Sequence, residues 1–246
     1  NAPDHPLAIQ FNSANLLEFK TSGSNTGMMV FDPETMYNLI NGNYVAGEND
    51  PAPDTYGGTE LDFVREVDLL SFEYAEIINE TAGQGSNSVE YPETNLGYQM
   101  ALTAQMISGG LDTPIYRISQ GGYDTHADQN NDHSNLLLNL NNAVLAFMED
   151  LSNQGLLDRV MVVTTSEFGR RYFENGSAGT DHGSSAPSMV FGNSIVPDIF
   201  GEQPSLSNLD QHNNLLIQHD FRQLYSSVIT DWFGLDQEIA TNVFGQ

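Results

Sequence analysis

Apolar positions recur along the chain with two distinct spacings. Phe63, Val67, Leu70, Tyr74 and Ile77 step by 4, 3, 4 and 3 with Glu and Asp between them, the single stripe of an acidic helix that packs on a core. Leu137, Leu140, Val144, Phe147 and Leu151 repeat the pattern, and Gly155 supplies a left-handed stop. A shorter helix is expected over residues 96–107, closed by Gly109-Gly110. Asp220 can cap another that runs through Leu224, Val228, Ile229 and Trp232 to Gly234.

Other stretches read as strands. Residues 114–119 form one, Val160-Met161-Val162-Val163 is a continuous apolar run of the kind covered on both faces, and Ser188-Met189-Val190-Phe191-Gly192 resembles it. The first fifty residues mix short apolar runs such as Met28-Met29-Val30-Phe31 with Gly, Asn and Pro, which predicts strands and loops and no long helix. Residues 49–58 and 83–92 are dense in turn formers and predict surface connections. Strands alternating with helices give an α/β class, a mostly parallel central sheet flanked by helices, in a single domain over residues 1–246.

Charge narrows the function classes. Against 33 Asp+Glu stand 7 Lys+Arg, a formal charge of −26, and Lys20 is the one lysine. This excludes a nucleic-acid-binding face. No run reaches the roughly 18 apolar residues of a membrane helix. With no cysteine, any metal must be held by His, Asp, Glu or hydroxyl groups. A hydrated acidic surface suits a periplasmic, cell-surface or secreted setting.

Three polar clusters follow or precede the predicted strands. Gly121-Gly122-Tyr123-Asp124-Thr125-His126 comes after the strand at 114–119, at the end of a strand where α/β proteins build their sites. In extended backbone Asp124 and His126 point to one side and can share a cation; the other reading is an Asp/His turn with a solvated histidine. Thr164-Thr165-Ser166-Glu167-Phe168-Gly169-Arg170-Arg171 occupies the equivalent place after the next strand. There Arg170 can grip a phosphate or sulfate oxygen and Glu167 a metal, or the two can simply tie down a loop. Gly179-Thr180-Asp181-His182-Gly183 adds a second Asp/His pair. Converging, the three would supply the ligands of two cations. His133, in the first turn of the following helix, reads as a support behind the ligands, a ligand or a helix-start polar residue. His5, His212 and His219 read as solvated or structural. No serine sits in a Gly-x-Ser-x-Gly elbow.

Together with Tyr116-Arg117-Ile118-Ser119-Gln120 and Asp220-Phe221-Arg222-Gln223-Leu224-Tyr225, these motifs resemble a sulfatase-like bacterial family of exported proteins of unknown function, similar to the alkaline phosphatase superfamily. The resemblance covers residues 93–235, while residues 1–92 match loosely. It implies the C-terminal part of an alkaline-phosphatase-like fold, twin-arginine export, divalent cations (zinc, manganese, iron or calcium) and hydrolysis of phosphate or sulfate esters. Asp124 and His126 then look like the first ligand pair, Glu167 like a strand-end metal acid, His182 like the late histidine ligand, Asp181 like a ligand or its neighbour, and Arg170 like the anion clamp. Relatives separate the first Asp and His further and often carry Asp-His where Glu167-Phe168 stands here. They place the nucleophile in an upstream half, so a partner chain or upstream segment is expected to complete the sheet. The substrate implied is a small anionic ester or an acidic polysaccharide. The competing reading is a non-catalytic acidic surface or assembly protein that keeps the fold, and carbohydrate binding through aromatic residues has no motif behind it.

Overall fold

Ala8, Ile9, Gln10 and Phe11 form strand β1 (Ala8–Phe11), buried at every position. That follows from its place: it is hydrogen-bonded on both sides, to β2 (Gly27–Val30) and to β3 (Ile115–Arg117), in a three-stranded sheet of order β2-β1-β3. Both pairings are parallel, with Ala8 opposite Gly27 on one side and Ile115 on the other. The computed structural model describes residues 5–11, 27–43 and 52–245, without the side chains of 39–43, 63, 64 and 66–72. The chain falls into two compact units, Asn1–Tyr123 with Ser134–Val160, and Asp124–His133 with Met161–Gln246.

In the first unit the sheet packs on helices α1 (Pro33–Asn43), α2 (Tyr56–Gln84) and α3 (Asn95–Ser108). Ile9, Phe11, Met28 and Val30 from the strands meet Met36, Tyr74, Ala75, Ile78, Ala82, Leu102, Met106 and Leu111 in one core. Of the stripe expected on α2, Tyr74 is buried and Ile77 lies half-buried at its edge. The side chains of Phe63, Val67 and Leu70 lie outside the described residues, as do Lys20 and residues 49–51.

Helix α1 corrects the expectation of strands and loops alone before residue 50. Its start is written in Asp32-Pro33: proline is pre-set for the first helical position, and Asp32 accepts from the Thr35 backbone N–H at 2.7 Å. Tyr56, Gly57 and Gly58, expected in a turn, are instead the first turn of α2. The helix begins as α3 does. Thr55 and Thr94 each accept from the backbone of a glycine three residues on, Gly58 and Gly97, at 3.1 Å. A Cβ on either glycine would meet the carbonyl oxygen of Pro53 or Pro92, at 1.6 and 2.1 Å. Pro-x-Thr-x-x-Gly is therefore a helix start in which glycine admits the folded-back proline carbonyl.

Helix α4 (Gln129–Asn153) is the second predicted stripe, but only its later half is covered. Val144, Phe147 and Leu151 are buried, whereas Leu137 is exposed. Burial begins at Ala143, so the stripe is covered over its last turns only. Gly155 adopts the expected left-handed conformation, φ 71°.

The second unit departs most from expectation. The apolar runs give β4 (Val162–Val163) and β7 (Val190–Phe191), which pair antiparallel with each other and are half-buried. Thr164 extends the ladder with its side chain, accepting from the Met189 N–H at 2.8 Å while its own N–H donates to the Met189 carbonyl. The two runs thus satisfy one another. Among the described residues, parallel pairing is confined to β1, β2 and β3. A second ribbon joins β5 (Gly169–Arg170) to β6 (His182–Gly183). Asp220 caps α5 (Phe221–Ser227) in a reciprocal capping box with Gln223. A π-helical turn, Val228–Trp232, carries the chain to Gly234, and α6 (Gln237–Phe244) follows. No described helix is long and apolar enough to cross a membrane.

One polar feature holds the first unit's loops. Asp150 of α4 is fully buried, and its carboxylate accepts from the Ser88 N–H at 2.7 Å, the Ser88 hydroxyl at 2.9 Å, Asn87 at 2.9 Å, Tyr91 at 2.8 Å and Gln154 at 2.7 Å. Burial pushes its pKa up, but the Ser88, Asn87, Tyr91 and Gln154 donors outweigh it and hold the carboxyl below its ordinary range. Burial and then Asp150 itself push the Tyr91 hydroxyl up. Asp150→Ala leaves these donors facing a void and is expected to cost about 3 kcal/mol in urea unfolding. Since the folded pKa lies below the unfolded one, the contribution is present above pH about 4 and is lost as pH falls through the folded value. Asp150→Asn should therefore show a shallower loss of melting temperature between neutral and acid pH than the wild type.

Candidate functional site

Two local devices shape the polar loops of the second unit. The first is the β5–β6 ribbon, whose register sets Arg170 opposite His182 and Gly169 opposite Gly183; directly opposed residues share a face. The second is the loop closed by Asn175, whose side-chain oxygen accepts from the Ser177 and Gly179 N–H groups at 2.9 and 3.2 Å while its own N–H donates to the Gly179 carbonyl. Ala178 takes a left-handed conformation, φ 58°, and the Ser177 and Ala178 carbonyls accept from the backbone of Asp128 and Gln129. Gly179 is what lets this loop reach the chain around His126, because a Cβ there would stand 2.2 Å from the His126 carbonyl carbon.

The result is a knot around one oxygen. Asp124 Oδ1 lies 2.7 Å from His182 Nε2, 2.9 Å from His126 Nε2 and 3.3 Å from an Arg170 Nη1. Arg170 Nη2 donates to the buried Thr125 hydroxyl at 3.0 Å. Phe168 stacks on the His182 ring, centroids 4.0 Å apart and planes 6° off parallel, and Arg170 lies 5.4 Å from the Phe168 centroid. The hydrogen bond from His182 is the main cause that holds the Asp124 carboxyl below its ordinary pKa; desolvation opposes it, and the charges of His126, His182 and Arg170 add to the lowering. Asp124, His126 and His182 are each about half exposed, so a ligand can reach them.

Asp124 and His126 meet by a route other than the one expected. The backbone is not extended there: the His126 N–H donates to the Asp124 carbonyl at 3.2 Å in a tight turn, and the turn, not strand alternation, brings the two side chains together. Nor does the loop at 164–171 follow a parallel strand, since β4 pairs antiparallel and it is the ribbon that aims Arg170.

Asp124, His126 and His182 offer ligand atoms that all lie within 4.8 Å of one another. Asp181 stands on the other edge of His126, its Oδ1 3.3 Å from Nδ1. Glu167 and His133 are exposed and outside this gathering. Asn175, which organises the loop and also donates to the His126 carbonyl at 2.9 Å, escaped the sequence reading; the turn dipeptide Asn175-Gly176 was its available signal. Residues 70–243 match a family described as a protein of unknown function, DUF1501. No curated protein and no solved structure matches the chain.

A test of this local architecture is Gly179→Ala. The added methyl group must displace either the 175–179 loop or the backbone of His126, at a cost of about 1–3 kcal/mol. Thermal unfolding should register the loss, and the His126 ring resonances should shift well beyond those of residues in the first unit.

Proposed function

The chain belongs to the DUF1501 family, and we propose that Asp124, His126 and His182 form a site for one divalent transition-metal ion at which a phosphate or sulfate ester is bound and hydrolysed. The observation that carries this reading is the convergence of one carboxylate and two imidazoles within 4.8 Å, with a guanidinium at the same carboxylate. Two nitrogens and an oxygen suit zinc, iron or manganese better than calcium, which favours oxygen ligands alone. Three ligands fit one cation with open positions. The remaining acid expected for a second, Glu167, stands apart, and the His182 ring face is occupied by Phe168.

A divalent cation held there supplies Lewis-acid polarisation of the ester. Arg170, anchored by Thr125 and steadied beside Phe168, presents positive charge to the oxyanion in a chain where such charge is rare. The acidic surroundings repel anions that do not engage both the cation and Arg170. The motif order supports the finer assignment to a sulfatase-like, alkaline-phosphatase-type domain, and the composition supports a periplasmic, cell-surface or secreted setting for an exported protein. A small anionic ester, or the sulfate of an acidic polysaccharide, is the substrate class.

A second reading, a non-catalytic acidic surface or assembly protein, is favoured by a specific observation. Three serine hydroxyls of these loops are engaged: Ser166 donates to the Phe168 carbonyl at 2.7 Å, and Ser184 and Ser185 to the Leu215 carbonyl at 2.9 and 3.2 Å.

Elemental analysis of protein purified without chelator should give close to one zinc, manganese or iron per chain, lost in His182→Ala. Arg170→Gln should keep the metal and weaken inorganic phosphate or sulfate by roughly tenfold or more, the scale of a lost charge-assisted hydrogen bond. Hydrolysis of a nitrophenyl phosphate or sulfate that disappears in Asp124→Asn supports catalysis. Metal without turnover supports the second reading, and no metal in the wild type removes the first.

A further inference from the structure

We infer that Asp181 is a positioning residue that acts through His126, holding the ring proton on Nδ1 so that Nε2 presents its lone pair toward Asp124 and His182. The inference rests on the metal-site reading above and assigns Asp181 a role outside the ligand set. An imidazole carries its two nitrogens on different edges, and a bond to one fixes what the other can do. In His126 the two edges are divided: Nε2 faces Asp124 Oδ1 at 2.9 Å, and Nδ1 faces Asp181 Oδ1 at 3.3 Å. A carboxylate on the Nδ1 edge cannot share a cation held at Nε2 unless the ring turns over.

The surroundings hold Asp181 in that place. Its carbonyl accepts from the Arg171 N–H at 2.9 Å, and the Thr180 N–H beside it donates to the Thr125 carbonyl at 3.3 Å. Asn175 Nδ2 reaches both the His126 carbonyl, at 2.9 Å, and Asp181 Oδ1, at 3.4 Å, so one amide spans the histidine's backbone and the carboxylate behind its ring. His182 receives a different support: Phe168 stacks on its face. Beyond the contact with Asp124 that both rings make, His126 is thus backed by a second carboxylate and His182 by ring packing.

The test is zinc and cobalt affinity of the full chain by chelator competition, with long-range proton–nitrogen spectra of the zinc-loaded protein. Wild type is expected to bind one ion and to show His126 protonated at Nδ1. Asp181→Ala should keep a stoichiometry of one and lose about 10- to 100-fold in affinity, the usual effect of removing such an outer partner. Asp181→Asn, whose amide oxygen still accepts from Nδ1–H, should recover most of that loss, a rescue that a general effect on folding would not produce. Wild-type affinity in Asp181→Ala overturns the inference, and so does loss of the ion in both Asp181 variants, which would make Asp181 a ligand. Either result leaves the metal site standing as long as wild type binds and His182→Ala does not. Failure of wild type itself to bind metal overturns the site and this inference together.

Discussion

Positive charge is the scarce resource of this protein, and the second unit's polar loops are arranged around where it is placed. With 33 acidic and 7 basic residues, there is too little base to pair with most carboxylates. Asp124 is an exception: one oxygen is approached by two imidazoles and a guanidinium. To bring those groups together the chain uses a tight turn at residues 124–126, a two-residue ribbon and a loop whose glycine lies against another segment's backbone. Each device is small. What they share is that backbone bonds, not the exposed charges, fix the positions.

Asp150 shows the opposite solution to the same shortage. Its carboxylate has no cationic partner among its donors, yet it is buried and held ionised by amide, hydroxyl and backbone groups. Several neutral donors around one anion replace a salt bridge without the cost of desolvating a second charge. The contrast separates the two acids by use. Asp150 is saturated and inaccessible, which suits it to fastening the segment at residues 87–91 to α4. Asp124 is half exposed, which leaves it open to an incoming ligand.

The helices were the most legible part of the sequence, because periodicity and caps are local signals. The stripe ending in Val144, Phe147 and Leu151, the Gly109-Gly110 stop and the Asp220 cap all correspond to observed features. Helix α1 was missed because its apolar positions, Met36, Leu39 and Ile40, span little more than one turn, although Asp32-Pro33 marks its start. The antiparallel pairing of Val162–Val163 with Val190–Phe191 was not legible: an apolar run states that a strand forms and not which partner it takes. At the site, paired Asp and His motifs pointed to the residues that gather, since chemistry is written in residue type. That Asp181 meets the far edge of His126 while Glu167 stands aside depends on ribbon register, which residue type does not encode.

The knot at Asp124 also bears on how the chain is closed. Bringing Asp124 to His182 closes a separation of 58 residues, and a polymer estimate puts the entropy of closing such a loop at about 4 kcal/mol. Exposed ion pairs typically return no more than about 1 kcal/mol each. The charged side chains therefore cannot be the clasp; the closure must be maintained by the ribbon and the backbone bonds around it. In a chain without cysteine, this leaves the Asp124, His126 and His182 side chains as passengers on a loop already shut, whose contacts can change while the loop stays closed.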